Sequence, residues 1–308
     1  MQDYELDFIV HAYSWPEMDT TVQPLQYGEN NTYVVNTPGG KYVTRRYRQG
    51  RYSVHEIRAE LEWMERLGKY IAIPRVIRNR YRDSVSRLVM PNEEFFYATF
   101  EFIEGDIIEH PTSLDYYNLG RLMRNIHSSA DLLVSEFTTE WQAWNRPVYD
   151  LQCTVEMPLR NLLKFSVLTE ADRNRCVNIA KELRSSFDFL RPIQQFIHAD
   201  IHFGNILVAP DKWYCLDFDE CGFGHRAMDI GVIRLHLKNN EESQDYWGHF
   251  LDGYGGGFSR EEISLGTALR IFYMAGKIPL RQDIEHLRQR PDERIRKYLR
   301  WIESEMFE

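Results

Sequence analysis

The chain has 308 residues, a net charge of −9, 43% hydrophobic and 27% charged residues, enough to bury a sizeable core in one or two domains. Such an acidic balance argues against nucleic acid as a partner, because phosphate contacts draw on Lys and Arg. It leans weakly toward neutral or cationic ligands.

From the amino terminus, MQDYELDFIVHAYSW lacks the basic start and apolar core of a signal peptide. The first hundred residues read as strands with one helix. Thr32 to Thr37 and Lys41 to Tyr47 flank Pro38-Gly39-Gly40, a hairpin pattern of β-branched and aromatic runs around a glycine turn. Ser53 and Glu56 form a capping box, after which Val54, Ile57, Leu61, Met64 and Leu67 recur at helical spacing until Gly68. Arg87 to Met90 and Phe95 to Phe102 read as strands. The expectation is a small antiparallel sheet with one helix packed on it.

Beyond Ile103-Glu104-Gly105-Asp106, a connector, the pattern turns helical. Leu119, Leu122, Met123 and Ile126 share a face after Ser113, and Thr169 opens a helix running to about Leu190. Ser259 and Glu262 cap a helix over Ile263 to Ala275, and Pro291 suits the first turn of a last one carrying Ile295, Leu299 and Ile302. Strand-like runs interrupt these helices at Gln195 to His198, Ile206 to Val208 and Trp213 to Phe218. The predicted class is α+β in two parts, 1–103 and 104–308.

No run of about 18 apolar residues occurs, so no membrane span is expected. The four cysteines make no CxxC pair. Reduced, mostly buried thiols in a cytoplasmic protein are the expectation.

Chemistry concentrates in FIHADIHFGNILVAPDKWYCLDFDECGFGHRAMDIG. Two polar clusters, Asp200 to Asn205 and Asp217 to Asp219, each abut an apolar strand run, with a turn at Pro210-Asp211 between. Carboxylates at strand ends are hard ligands suited to Mg²⁺. Phosphoryl transfer asks for such a metal, for positioning, and for a carboxylate to take the proton of the attacking hydroxyl.

His198-Ala199-Asp200 with Asn205 matches H-x-D-x-x-x-x-N, and Asp217-Phe218-Asp219 stands where kinases carry D-F-G. HADIHFGNIL followed by LDFDECGFGHRAMDIG resembles the aminoglycoside phosphotransferase and choline kinase superfamily, whose typical form is H-G-D-x-H-x-x-N-x-L and then I-D-F-D. The resemblance spans nearly the whole chain, more weakly over the last fifty residues. It implies a two-lobed, protein-kinase-like fold with a nucleotide-binding first lobe and a larger, mainly helical second lobe for catalysis and acceptor binding. It also implies Asp200 as catalytic base, His198 as a brace for its loop, Asn205 and Asp217 as Mg²⁺ ligands, and Asp229 as the buried tie between the loop and the next helix.

For ATP, the resemblance places a phosphate-covering loop over Gly28, Asn30 and Asn31, without a G-x-G-x-x-G. Arg45 falls where kinases carry lysine. Alternation puts Val43, Arg45 and Tyr47 on one strand face, and Glu60 is the expected partner of Arg45. Backbone groups near Glu101 and Ile103 would read adenine.

Eleven residues separate Asp217 from Asp229, too few for the activation loop and A-P-E of a protein kinase. A small-molecule hydroxyl acceptor follows: an aminoglycoside, a choline- or ethanolamine-like amine, homoserine or a sugar. Glu104, Asp106, Glu109 and Glu220 could draw an amine to the rim. Trp141, Trp144, Trp247 and Tyr254 could form an aromatic cage, though core packing is the commoner use of such residues. His202 suits substrate contact or loop packing, and Gly255-Gly256-Gly257 suits a lid or a linker. A monomer or homodimer is expected. Two readings stay open beside this one: a bacterial protein Ser/Thr kinase of the same fold, and a non-catalytic kinase-like binding protein, for which Arg45 in place of Lys speaks.

Overall fold

The computed structural model describes residues 1–27, 30–136, 145–190, 195–239 and 245–307. The chain forms two compact units, each assembled from separate stretches. The first holds Met1–Ile108, Leu133–Arg146 and Ile206–Asp219; the second holds Glu109–Leu132, Pro147–Asn205 and Glu220–Glu308.

In the first unit an antiparallel sheet runs in the order β1 (Thr21–Tyr27), β2 (Asn31–Thr37), β3 (Gly40–Arg46), β6 (Glu93–Glu101) and β4 (Val76–Ile77), with β5 (Ser86–Met90) also on β6. The predicted hairpin is β2–β3, with Thr37 opposite Gly40, and Gly40 takes φ 136° to make the turn. The helix expected after Ser53 is α2 (Val54–Leu67), closed by a reciprocal Ser53–Glu56 capping box. Its buried face is Ile57, Leu61, Met64 and Leu67, with Glu60 among them.

One helix was expected in this part, and the structure has a second, α1 (Asp3–Tyr13). Buried Glu5 ties it to the sheet, accepting hydrogen bonds from Arg46 (2.7 Å) and the Tyr97 hydroxyl (2.6 Å). Edge strand β1 was also absent from the sequence reading. It carries Pro24 at a register irregularity, where a missing N–H is tolerated.

The stretch Ile206–Asp219 adds a small sheet, β7 (Asp106–Ile107), β9 (Ile206–Val208) and β10 (Trp213–Cys215), in the order β10-β9-β7. Gly105 lets the chain approach β9: an added Cβ would lie 2.6 Å from the Val208 carbonyl oxygen.

The second unit is mainly helical: α3 (Ser113–Glu136) as far as Leu132, α4 (Met157–Lys164), α5 (Glu170–Ser186), α6 (Ala227–Asn239), α7 (Trp247–Tyr254), α8 (Arg260–Lys277), α9 (Glu285–Arg288) and α10 (Pro291–Phe307). Reciprocal capping boxes start α5 at Thr169 and α8 at Ser259. One core joins Leu162, Leu183, Leu235, Leu269, Phe272 and Leu299 from five of these helices. A two-stranded ladder, β8 (Gln195–Ile197) with β11 (Gly222–Gly224), runs beside them. The strand-like runs thus belong to two separate small sheets, with β11 unforeseen.

Helices α6 and α8 meet through glycine. A Cβ on Gly231 would stand 2.7 Å from the Thr267 Cα, and one on Gly266 would stand 2.4 Å from the Ala227 carbonyl oxygen. Cys176, Cys215 and Cys221 are buried free thiols, and Cys153 is partly so. Among the described residues, no helix is long and apolar enough to cross a membrane.

Candidate active site

In the first unit Arg45 points from β3 to the buried face of α2. Its guanidinium donates to Glu60 Oε1 at 3.1 Å and lies 3.1 Å from Asp217 Oδ1. The Tyr47 hydroxyl reaches the other Glu60 oxygen at 3.3 Å. Alternation along β3 explains why Arg45 and Tyr47 share one face. Burial pushes the Glu60 carboxyl up, against the pull of Arg45 and Arg146. Burial alone would lower the pKa of Arg45, but Asp217 and Glu60 more than reverse this and hold it firmly cationic. A lysine has one point of charge, whereas the arginine fork serves both carboxylates.

The Asp217-Phe218-Asp219 segment is fastened from several sides. Asp219 accepts from the Asn30 side chain at 3.0 Å and pairs with Arg51 at 3.4 Å. Arg146, a residue without an assigned role in the sequence, donates to the carbonyls of Phe218 and Asp219 and to that of Glu56 on α2. Asp217 takes φ 59°, a left-handed conformation that costs a non-glycine residue about 1–2 kcal/mol.

In the second unit the loop from His198 to Asn205 hangs from Asp229 at the start of α6. The two Asp229 carboxylate oxygens accept the backbone N–H of His198 (2.9 Å) and of Ala199 (2.7 Å). His127 of α3 supports the same carboxylate through Nε2 at 2.9 Å, and its Nδ1 meets the Tyr254 hydroxyl at 2.9 Å. Burial lowers the His127 pKa even though Asp229 opposes this. His198 is fully buried and its Nδ1 accepts the Asp200 N–H at 3.3 Å. Ala199 sits at φ 66°, where the resemblance has glycine.

Asp200 Oδ1 receives Arg270 Nη2 from α8 at 2.7 Å. The other oxygen, Oδ2, lies 3.4 Å from Asn205 Nδ2 and 3.7 Å from His202 Nε2. Asn205 also donates to the Asp200 carbonyl at 2.8 Å. Burial works to raise the Asp200 pKa, but His202, Arg270 and Lys277 outweigh it and hold the carboxyl far below the usual range. His202 accepts the Gly204 N–H and stacks on His236, ring centroids 4.3 Å apart. Burial pushes the His236 imidazole down to about 3.

Other predicted residues have these surroundings. Asn31 begins β2 opposite Arg46. The Asn30 side chain is committed to Asp219 and to the Arg48 N–H. The Glu101 N–H, at the end of β6, donates to the Arg75 carbonyl, and Ile103 follows half-buried. Gly28, Trp141 and Trp144 lie outside the described residues. Glu220 is not a rim residue but a buried one, held by Arg270 at 3.5 Å and by Lys277. Half-buried Trp247 lies against Phe250 and the Arg234 guanidinium, and Tyr254 bonds inward to His127.

Arg270 and His127 are the supports that sequence reasoning missed. Arg270 left a signal, as the lone cation in the apolar stretch Leu269 to Phe272.

Residues 21–267 match the profile of the Phosphotransferase enzyme family. An uncharacterized protein of Synechocystis sp., sll1119, is 22% identical over 234 residues, which are 74% of this chain and 63% of that protein. The match therefore spans less than two thirds of that relative's length. Among solved structures, a microcompartment-associated aminopropanol kinase superposes with a TM-score of 0.81 at 18% identity, covering 99% of each chain. An amicoumacin kinase in complex with AMP-PNP and Ca²⁺ superposes with a TM-score of 0.78 at 18% identity, covering 98% of this chain and 93% of the other. These likenesses show the kinase-like fold.

Proposed function

The chain belongs to the phosphotransferase enzyme family, and from that premise we propose that it moves the γ-phosphate of ATP to a hydroxyl of a small molecule. Asp200 is the base: it accepts the hydroxyl proton as the new O–P bond forms, the bond to the β-phosphate breaks and ADP leaves. The observation that carries the reading is the Asp200 carboxylate itself. It is kept ionised, with Oδ1 held by Arg270 at 2.7 Å and Oδ2 turned toward Asn205 and His202.

Asn205 and Asp217 are the residues we assign to Mg²⁺, and their donor chemistry fits. Both offer hard oxygens, and Asp217 Oδ1 is buried, paired in charge with Arg45 but with no hydrogen bond among the described residues. Among those residues no three His, Cys, Asp or Glu side chains gather as ligands, which suits an ion bound by one or two protein groups and by substrate phosphates. When bound, Mg²⁺ supplies neutralisation of phosphate charge. Arg45 serves the nucleotide as a fork for phosphate oxygens, held ready by Glu60. Gly28, Asn30, Asn31, Glu101 and Ile103 complete the assignment on the nucleotide side.

The acceptor is sought with Mg·ATP and a panel of aminoglycosides, ethanolamine, choline, aminopropanol, homoserine and sugars, with products followed by ³¹P NMR. Aminopropanol joins the panel because of the aminopropanol kinase likeness. Acceptor-dependent ADP formation is the expected outcome, with Asp200→Asn lowering kcat by about 10²–10⁴-fold. Unchanged turnover in Asp200→Asn would remove the base assignment.

One observation favours a second reading. Arg45 lies against Asp217, the carboxylate assigned to the metal, an arrangement that suits a protein that binds without transferring. Mg·ATP at about 100 times its Kd should stabilise a binding site by about 2.7 kcal/mol. ATP binding with no transfer to any acceptor or to water would favour that reading.

A further inference from the structure

We propose that Arg270 is a positioning residue for catalysis, turning Asp200 so that Oδ2 faces the incoming hydroxyl; this rests on the assignment of Asp200 as base. Arg270 is 2% exposed, on α8 between buried Leu269 and Ile271. Its guanidinium spans two carboxylates, Asp200 Oδ1 at 2.7 Å and Glu220 Oε2 at 3.5 Å. Lys277, two turns along α8, holds the other Glu220 oxygen. The Tyr273 ring lies 5.7 Å from the Arg270 guanidinium and 4.6 Å from the Lys277 ammonium. Residues 270, 273 and 277 fall on one helix face. The result is an alternating chain of charge, Asp200, Arg270, Glu220, Lys277, buried at its two middle members and partly exposed at its ends.

Stability alone does not explain such a chain. Desolvating ions is costly, and a well-packed apolar set of similar volume is often as stable or more so. What the chain supplies is direction. With Oδ1 fixed by a short charged bond, rotation of the Asp200 carboxylate is restricted, and among the described residues Oδ2 has the longer approaches of Asn205 and His202. Proton acceptance depends on that placement, because an error near 1 Å in a reacting group costs on the order of 10²-fold in rate. The planar fork is needed because a lysine at 270 reaches one carboxylate at a time.

Phosphate release from Mg·ATP with water as the acceptor tests this without knowledge of the natural acceptor. The variants are Arg270→Gln, Arg270→Lys, Asp200→Asn and the double variant Arg270→Gln/Asp200→Asn. Arg270→Gln should lower kcat by about 10²-fold while KM for ATP stays within about threefold. Arg270→Lys should recover about a tenth or more of the lost rate. In the Asp200→Asn background, Arg270→Gln should have no further effect, since it acts through the group already removed. A loss that multiplies onto that of Asp200→Asn, or one confined to KM, overturns the proposal. Wild-type turnover in Asp200→Asn overturns the base assignment and the proposal with it, a result distinct from either of those. If Arg270→Gln alone fails to melt cooperatively, Arg270→Gln/Glu220→Gln, which removes one charge of each sign, carries the same expectation and the same overturning result.

Discussion

Ala199 is held at φ 66° by Asp229, which accepts its N–H and that of His198. Replacing it with glycine relieves about 1–2 kcal/mol of left-handed strain but adds about 0.4–1 kcal/mol of unfolded-state entropy. Ala199→Gly should therefore be neutral or stabilising by up to about 1.6 kcal/mol in urea titrations, whereas β-branched Ala199→Val should destabilise. Arg45→Met should cost about 3–5 kcal/mol, because Glu60 is fully buried and would lose its main cation. The pairing of Arg45 with Glu60 was legible through the kinase resemblance, which sets Arg45 at the lysine position with a helix glutamate as its partner, while strand alternation gave only the face that Arg45 shares. The tie of Asp229 to the loop was legible through its motif. Arg270 was not, since its bond to Asp200 joins residues 70 apart and no periodicity reports which buried position faces which loop.

Among the elements, those with their own end signals were readable. Ser53–Glu56 and Ser259–Glu262 write a helix start into four residues, and both boxes form. Helix α1 hid because its inward stripe begins with Glu5, a charge that local pattern assigns to solvent and that only Arg46 and Tyr97 make tolerable. Strand β11 hid because Gly222-Phe223-Gly224 has little β-propensity. It forms because glycine admits the close passage of the neighbouring chain: a Cβ on Gly222 would lie 2.3 Å from the Pro147 carbonyl oxygen. The same close passage sets the spacing of α6 and α8. Gly231→Ala or Gly266→Ala should each cost about 1–3 kcal/mol by overpacking, read as a lower urea midpoint with unchanged slope.

For the molecule as a whole, the α+β class was legible from patterning, while the assembly of each compact unit from separated stretches was not, because that depends on long-range contacts. Acid stability follows one identifiable pair. Asp172, which caps α5 and receives Arg296 of α10, is pulled down to about 2 from 3.8, chiefly by that arginine. A carboxyl depressed in the folded state stabilises above its unfolded pKa and loses that contribution as pH falls through its folded value. Wild type should therefore exceed Asp172→Asn in stability above about pH 4, with the gap closing toward pH 2. The buried thiols have a different use. Cys215 belongs to the first unit, while Cys176 and Cys221 belong to the second, and burial pushes the Cys176 thiol up to about 11. Only the thiolate reacts with an alkylating reagent, so each of these cysteines is modified only when its surroundings open. Iodoacetamide uptake followed peptide by peptide would then time the breathing of the two units separately in unaltered protein.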